Sequence, residues 1–135
     1  MTSPTVSVLT TAYNRQDYIA QCIESVLASS YSDFEYIIVD DNSTDESYNI
    51  AKAFEAKDRR IKVYRNSSNL GDYPNRNKAA SYASGKYIKY VDSDNIIYNY
   101  GLASMVDCMS RYPEAALGLL SKSDPEQPYP ICIDS

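Results

Sequence analysis

At 135 residues, with 44% hydrophobic and 23% charged side chains, the chain fits one globular domain with a buried core. A formal net charge of −5 argues against sequence-independent nucleic-acid binding, and the absence of histidine excludes Ser-His and Cys-His catalytic pairs. No stretch approaches the ~20 apolar residues of a membrane span, residues 1–10 lack a secretion pattern, and three cysteines without metal-ligand spacing fit a reducing compartment, so a cytoplasmic or at most peripheral protein is expected.

Residues 5–11, Thr-Val-Ser-Val-Leu-Thr-Thr, are short and β-branched and predict a first strand. From about Arg15 the period changes: Ile19, Cys22, Ile23, Val26 and Leu27 recur at helical spacing, with Cys22 as a core filler. Residues 34–39, Phe-Glu-Tyr-Ile-Ile-Val, predict a second strand buried on both faces. It runs into Asp40-Asp41-Asn42-Ser43-Thr44-Asp45-Glu46, where Ser43 and Glu46 have the spacing of a capping box. A second helix is expected from there to about Lys57, burying Ile50, Ala53 and Phe54. Residues 61–64 predict a third strand and 65–74 a loop. Residues 75–83 predict an alanine-rich third helix closed by Gly85 at its C′ position, and 86–91 a fourth strand. Leu102, Met105, Val106 and Met109 mark a fourth helix, with Cys108 as a second core filler, stopped at Tyr112-Pro113. Residues 115–120 predict a fifth strand. A domain over 5–120 followed by an irregular segment over 121–135 is the expected division.

Strands alternating with helices imply an α/β fold, a Rossmann-like parallel sheet with helices on both faces, and such sheets bind ligands beyond the carboxyl ends of their strands. Polar residues collect there at 11–14, 40–43, 66–69 and 92–95. Asp92 and Asp94 lie one residue apart, so continued strand geometry points both carboxylates to one side. At about 4 Å their repulsion costs on the order of 1–4 kcal/mol. A divalent cation offsets it, and oxygen ligands alone suit magnesium or manganese. The bland alternative is a polar turn ending a strand. Tyr13 is placed to stack on a base, Asp41 to accept from a base imide and Arg76 to approach phosphate. The alternatives are a rim tyrosine, a cap carboxylate and a solvated helix arginine. No glycine-rich phosphate loop follows the first strand, so a diphosphate would need the metal.

Thr10-Thr11-Ala12-Tyr13-Asn14-Arg15, Ile38-Val39-Asp40-Asp41-Asn42-Ser43-Thr44-Asp45, Asn69-Leu70-Gly71 with Arg76-Asn77, and Gly85-Lys86-Tyr87-Ile88 leading to Asp92-Ser93-Asp94 resemble family 2 inverting glycosyltransferases. The motifs keep the family's order and spacing over residues 6–112, and most resemble bacterial enzymes that build surface polysaccharide, including the spore-coat type. The resemblance implies a GT-A fold, here its nucleotide-sugar-binding half. It implies that Thr11 and Tyr13 contact uracil, Asp41 accepts from the N3 imide and Arg76 lies near the nucleotide. It places Asp92 and Ser93 by the ribose and diphosphate, and makes Asp94, with Asp92, the ligand of magnesium or manganese. The family's Asp-x-Asp-Asp is Asp-Ser-Asp-Asn here, so Asn95 leaves one carboxylate fewer. A saccharide or glycoconjugate acceptor is the implied second substrate. Family members continue into a further half carrying a carboxylate base; nothing in this chain matches that base, and Asp124, Glu126 and Asp134 receive no such role.

The leading expectation is therefore a glycosyltransferase domain that binds a nucleoside-diphosphate sugar, with UDP-sugar preferred. A non-catalytic nucleotide or nucleotide-sugar module is the alternative. A receiver-type signalling domain is disfavoured because its acidic pair follows the first strand, whereas Asp40 and Asp41 follow the second. A nucleotidyltransferase is disfavoured because Thr-Ala-Tyr-Asn stands where a glycine-rich turn is usual. An uncovered sheet edge is expected to make the chain a homo-oligomer.

Overall fold

The structure is a computed structural model and describes residues 3–116. Four parallel strands, β1 (Val6–Ala12), β2 (Phe34–Asp40), β3 (Ile61–Arg65) and β4 (Tyr87–Tyr90), form one sheet in the order β3-β2-β1-β4. The helices are α1 (Ile19–Leu27), α2 (Ser47–Glu55), α3 (Asp72–Ser81) and α4 (Gly101–Arg111). Val6 pairs with Phe34 on one side and Tyr87 on the other, while Asp40 pairs with Arg65. Chain order runs outward from β1 through β2 to β3, then reverses to β4. A crevice opens beyond the carboxyl ends of the strands at such a reversal.

Strand alternation divides the core. Val6, Val8, Ala12, Phe34, Tyr36 and Ile38 face α1, α2 and α4, where Ile19, Cys22, Ile23, Val26, Ala51 and Leu102 meet them. Leu9, Ile37 and Val39 face the other way, against Ala79 of α3. Only Asn75 and Ala79 of α3 are buried, so small side chains let this helix lie close to the sheet. Tyr36 is fully buried and shares a 3.0 Å hydrogen bond with Thr10, whose hydroxyl donates to the Val91 carbonyl at 2.8 Å. Burial pushes the Tyr36 phenol well up and the Cys22 thiol up, so both stay neutral; Cys22 fills the core as expected, and Cys108 is half-buried on α4.

Several local expectations are corrected. The Ser43/Glu46 capping box does not form: Ser43 Oγ accepts from the Asn14 amide instead, and α2 starts at Ser47, whose amide donates to Asp45 Oδ1 at 2.9 Å. On α2, Ala51 is buried, Ile50 and Phe54 pack at the margin of the core, and Ala53 is exposed. α3 begins at Asp72 rather than 75, because Pro74 falls in its first turn, where a missing N–H costs no intrahelical bond. Gly85 is no C′ residue; α3 ends at Ser81, capped by Tyr82 in right-handed backbone, and Gly85 instead lies against β1. A Cβ there would sit 2.6 Å from the Ser7 nitrogen. Residues 115 and 116 form no strand, and the rest of the expected fifth strand and the segment 121–135 lie outside the described residues.

Candidate functional site

The loops after β1, β2 and β4, with the residues leading into α3, enclose a cleft of about 470 Å³. Its walls include all seven residues singled out from the sequence: Thr11, Tyr13, Asp41, Arg76, Asp92, Ser93 and Asp94. Ala12, Arg15, Asn69, Gly71, Asp72 and Asn75 complete the lining.

Asp41 is the fixed point of the cleft. Buried just past the end of β2, it receives Asn66 Nδ2 at 2.7 Å and the Leu70 amide at 2.8 Å on Oδ1, and the Gly71 amide at 2.9 Å on Oδ2. Two donors fill the lone pairs of Oδ1, and one leaves Oδ2 able to accept once more. Asn66 also donates to Asn75 Oδ1 at 2.9 Å, and Asn75 donates to the Val39 carbonyl at 3.2 Å, so helix, strand and carboxylate form one network. Both protons of the Asn66 amide are thereby used, while its buried Oδ1 has no partner among the described residues. Gly71 enters α3 with φ +88°, a backbone region that side chains disfavour.

The first and second loops are laced together. The Asn14 amide donates to Ser43 Oγ at 2.9 Å, the Arg15 amide to Ser47 Oγ at 2.7 Å and the Gln16 amide to Asp45 Oδ2 at 3.1 Å. In return the Thr44 amide donates to Asn14 Oδ1 at 2.9 Å and the Glu46 amide to Gln16 Oε1 at 3.2 Å. Asn14 and Asn42 hold positive φ, 52° and 62°, which asparagine tolerates better than most residues.

At the other end of the cleft, carboxylates meet arginines. Arg76 contacts Asp92 Oδ1 at 2.7 Å and Asp72 Oδ1 at 2.9 Å, and its guanidinium lies 5.7 Å from the Tyr90 ring centre. These carboxylates, Asp92 foremost, push the Arg76 guanidinium up and keep it charged. Arg15 Nε lies 3.6 Å from Asp94 Oδ2. Asn95 donates weakly to Asp92 Oδ2 at 3.4 Å. Among the described residues no group of three or more His, Cys, Asp or Glu side chains could hold a metal. The strand does not continue through Asp94 as expected: β4 ends at Tyr90 and the Asn95 amide closes a turn onto the Asp92 carbonyl at 2.9 Å, which leaves both carboxylates on the cleft wall as oxygen donors of the kind magnesium or manganese takes.

Sequence reasoning missed Arg15 and Asn75. Arg15 stood in the motif after β1 with no apparent partner, since its carboxylate comes from a loop 79 positions away in the chain. Asn75 had one signal, a polar residue a turn before Ala79 on the face that meets the sheet.

The sequence matches the family described as Glycosyl transferase family 2 over residues 7–131. It is 45% identical over 92 residues to a Bacillus subtilis (strain 168) protein provisionally named teichuronic acid biosynthesis glycosyltransferase TuaG, covering 68% of this chain and 36% of that one. S. aureus TarS 1-349, solved in complex with UDP-GlcNAc, is 28% identical with a TM-score of 0.76, over 81% of this chain and 32% of that one. The mannosyltransferase PcManGT from Pyrobaculum calidifontis, solved with GDP-Man and Mn2+, shares the fold at 20% identity and a TM-score of 0.74, over 82% and 33% of the two chains. This chain thus spans about a third of the length of these relatives. With its parallel Rossmann-like sheet, its rim of polar loops and its sequence match over most of its length, the chain belongs to glycosyl transferase family 2.

Proposed function

We propose that this chain is the donor-binding part of an inverting glycosyltransferase that uses a nucleoside-diphosphate sugar, a UDP-sugar in the first instance, with magnesium or manganese. The observation that carries this is Asp41, a buried carboxylate fixed by three donors with one acceptor position left at the cleft. An acceptor-only group there selects a base that carries a proton on its ring nitrogen, as uracil does at N3, whereas cytosine N3 is an acceptor and its only base N–H donor is the exocyclic N4 amino group. Tyr13, 46% exposed, gives that base an aromatic face, and Thr11 lies beside it on the wall. Arg76 is assigned to the diphosphate, Asp92 and Ser93 to the ribose and diphosphate, and Asp94 with Asp92 to the ion. When bound there, magnesium or manganese supplies Lewis-acid stabilisation of charge on the departing diphosphate. TarS and PcManGT, solved with a UDP-sugar and with GDP-Man and Mn2+ respectively, support the donor class and the ion. Inversion follows from attack of an acceptor hydroxyl on the anomeric carbon from the face opposite the nucleotide, with a general base taking its proton.

No described residue is assigned as that base. All four carboxylates lining the cleft are engaged: Asp41 by amides, Asp72 and Asp92 by Arg76, Asp94 by Arg15. This favours donor binding without transfer by the 135-residue chain, to a saccharide acceptor or otherwise. Calorimetric titration with UDP, CDP and GDP, each with manganese or with excess chelator, tests the donor reading. UDP should bind in manganese and CDP about tenfold more weakly, the loss of one hydrogen bond to a charged group. Equal affinity for UDP and CDP overturns the role of Asp41, and UDP affinity unchanged in chelator overturns the metal. Incubation with labelled UDP-sugars and acceptor saccharides tests the rest; metal-dependent transfer near about one turnover per second, lost in Asp94→Asn, would refute binding without transfer.

A further inference from the structure

Resting on the donor-site reading, we propose that Arg15 and Arg76 are resident counter-cations of the Asp92/Asp94 pair. In the donor-free cleft they occupy the two carboxylates; when donor and divalent ion arrive, the guanidiniums turn to the diphosphate while the ion takes the carboxylates. Nucleotide and metal therefore load as a unit, and each loads poorly alone.

The geometry supplies the pairing: Arg76 lies 2.7 Å from Asp92 and Arg15 lies 3.6 Å from Asp94, and all four side chains line one cleft. It also supplies the means of exchange. Arg76 keeps a second anchor in Asp72, one turn earlier on α3, and Arg15 keeps two in the carbonyls of Tyr13 and Asn14, each 3.2 Å from Nη1. A guanidinium has five N–H donors, so leaving Asp92 or Asp94 strands neither arginine. Side-chain exposures of 30–47% across the two pairs keep them in contact with solvent, where an ion pair contributes little net stability and exchanges readily. Charge bookkeeping at the four groups gives the coupling. Two carboxylates and two guanidiniums are neutral together; a divalent cation alone would sit beside two positive groups, and a diphosphate alone beside two negative ones. Arriving together, they preserve neutrality. Asp72 shares Arg76 throughout, and Asp41, on the wall of the same cleft, is held by the Asn66 side chain and two backbone amides, with no arginine contact to give up.

The test is manganese binding, read from the electron paramagnetic resonance of free Mn2+, to the 135-residue chain and to Arg15→Gln, Arg76→Gln and the double variant, without and with UDP. Melting temperatures control for folding. Without nucleotide, each single variant should bind manganese about fivefold more tightly than the parent chain, the direction opposite to structural damage. UDP should raise manganese affinity in the parent, and that enhancement should shrink about tenfold in the double variant. Intact UDP binding by the parent, with nucleotide-free manganese affinity unchanged or weakened in the folded variants, would overturn the exchange while leaving the donor reading in place. Failure of the parent to bind UDP in saturating manganese would overturn the donor reading and the exchange with it.

Discussion

Glu35 shows how much a single buried carboxylate can hold. It lies near the amino end of β2, and its Oε1 accepts from the Ser7 hydroxyl at 2.6 Å, the Ser84 amide at 2.7 Å and the Ser84 hydroxyl at 2.9 Å. Burial pushes its carboxyl up, but those hydrogen bonds and the charge of Lys62 outweigh it and hold the group below its ordinary 4.5. A folded value below the unfolded one means that the unfolded chain binds more protons as pH falls. The stabilisation is thus full above about pH 4.5 and lost as pH drops through the folded value. Glu35→Gln should lower stability near neutrality by about 1–3 kcal/mol and lose less in acid. Urea unfolding on both sides of that range checks this; a loss equal at both pH values would show that charge is not involved. Asp41 was legible in the sequence because it directly follows β2, while Asp92 and Asp94 were legible as a motif whose turn, closed by the Asn95 amide on the Asp92 carbonyl, the strand pattern did not give. Glu35 and Asn75 were not legible, because their partners, Ser7 and Ser84 for the first and the Asn66 side chain and Val39 carbonyl for the second, come from other elements.

Among the elements, β4 depends on a glycine for its approach to β1. The Gly85 amide donates to Ser7 Oγ at 2.8 Å, and an added Cβ would meet Ser7 N at 2.6 Å and the Val6 carbonyl carbon at 2.8 Å. Backbone atoms cannot rotate away, so Gly85→Ala must move the start of β4 and should cost about 1–3 kcal/mol. Gly101→Ala, with nothing within 4 Å at the first residue of α4, should stay within about 0.5 kcal/mol of the parent. Chemical denaturation of the two variants checks the contrast, and equal losses would refute the close-approach account. Periodicity made the four described strands and α1, α2 and α4 legible, since each carries its own apolar pattern, whereas α3 was read from its alanines. Ends were less so. Ser-x-x-Glu at 43–46 is a local cap signal, but Ser43 is claimed by Asn14 of another loop, and Asp45 reaches the first helical amide in its place.

At the scale of the molecule, the sheet has an asymmetric edge. β4 pairs with β1 alone among the described residues, and Ile88 and Tyr90 on it are 47% and 36% exposed. Just beyond, Ile96, Tyr98 and Tyr100 are 72%, 74% and 57% exposed, with the two tyrosine rings stacked 5.3 Å apart. An open strand edge flanked by apolar side chains is usually covered. We expect the purified 135-residue chain to form a dimer or larger oligomer in which β4 is protected. Light scattering and amide hydrogen exchange check this; a monodisperse monomer at micromolar concentration, or fast exchange along the outer edge of β4, would refute it. The parallel sheet itself was legible from the alternation of strands and helices. The uneven burial of its two faces was not, because α3 meets the sheet through Asn75 and Ala79, a pair with no hydrophobic stripe to betray it.

The six hydrogen bonds that lace residues 14–16 to residues 43–47 have a consequence for redesign. Donors and acceptors alternate between the two loops, so neither holds its shape without the other. A transplant of the β1 loop from a relative with different base preference would bring side chains cut to fit a foreign second loop, and would strand amides on both. On the proposed donor reading the unit that meets the base is the pair of loops, and an engineer who wishes to change it must move both at once.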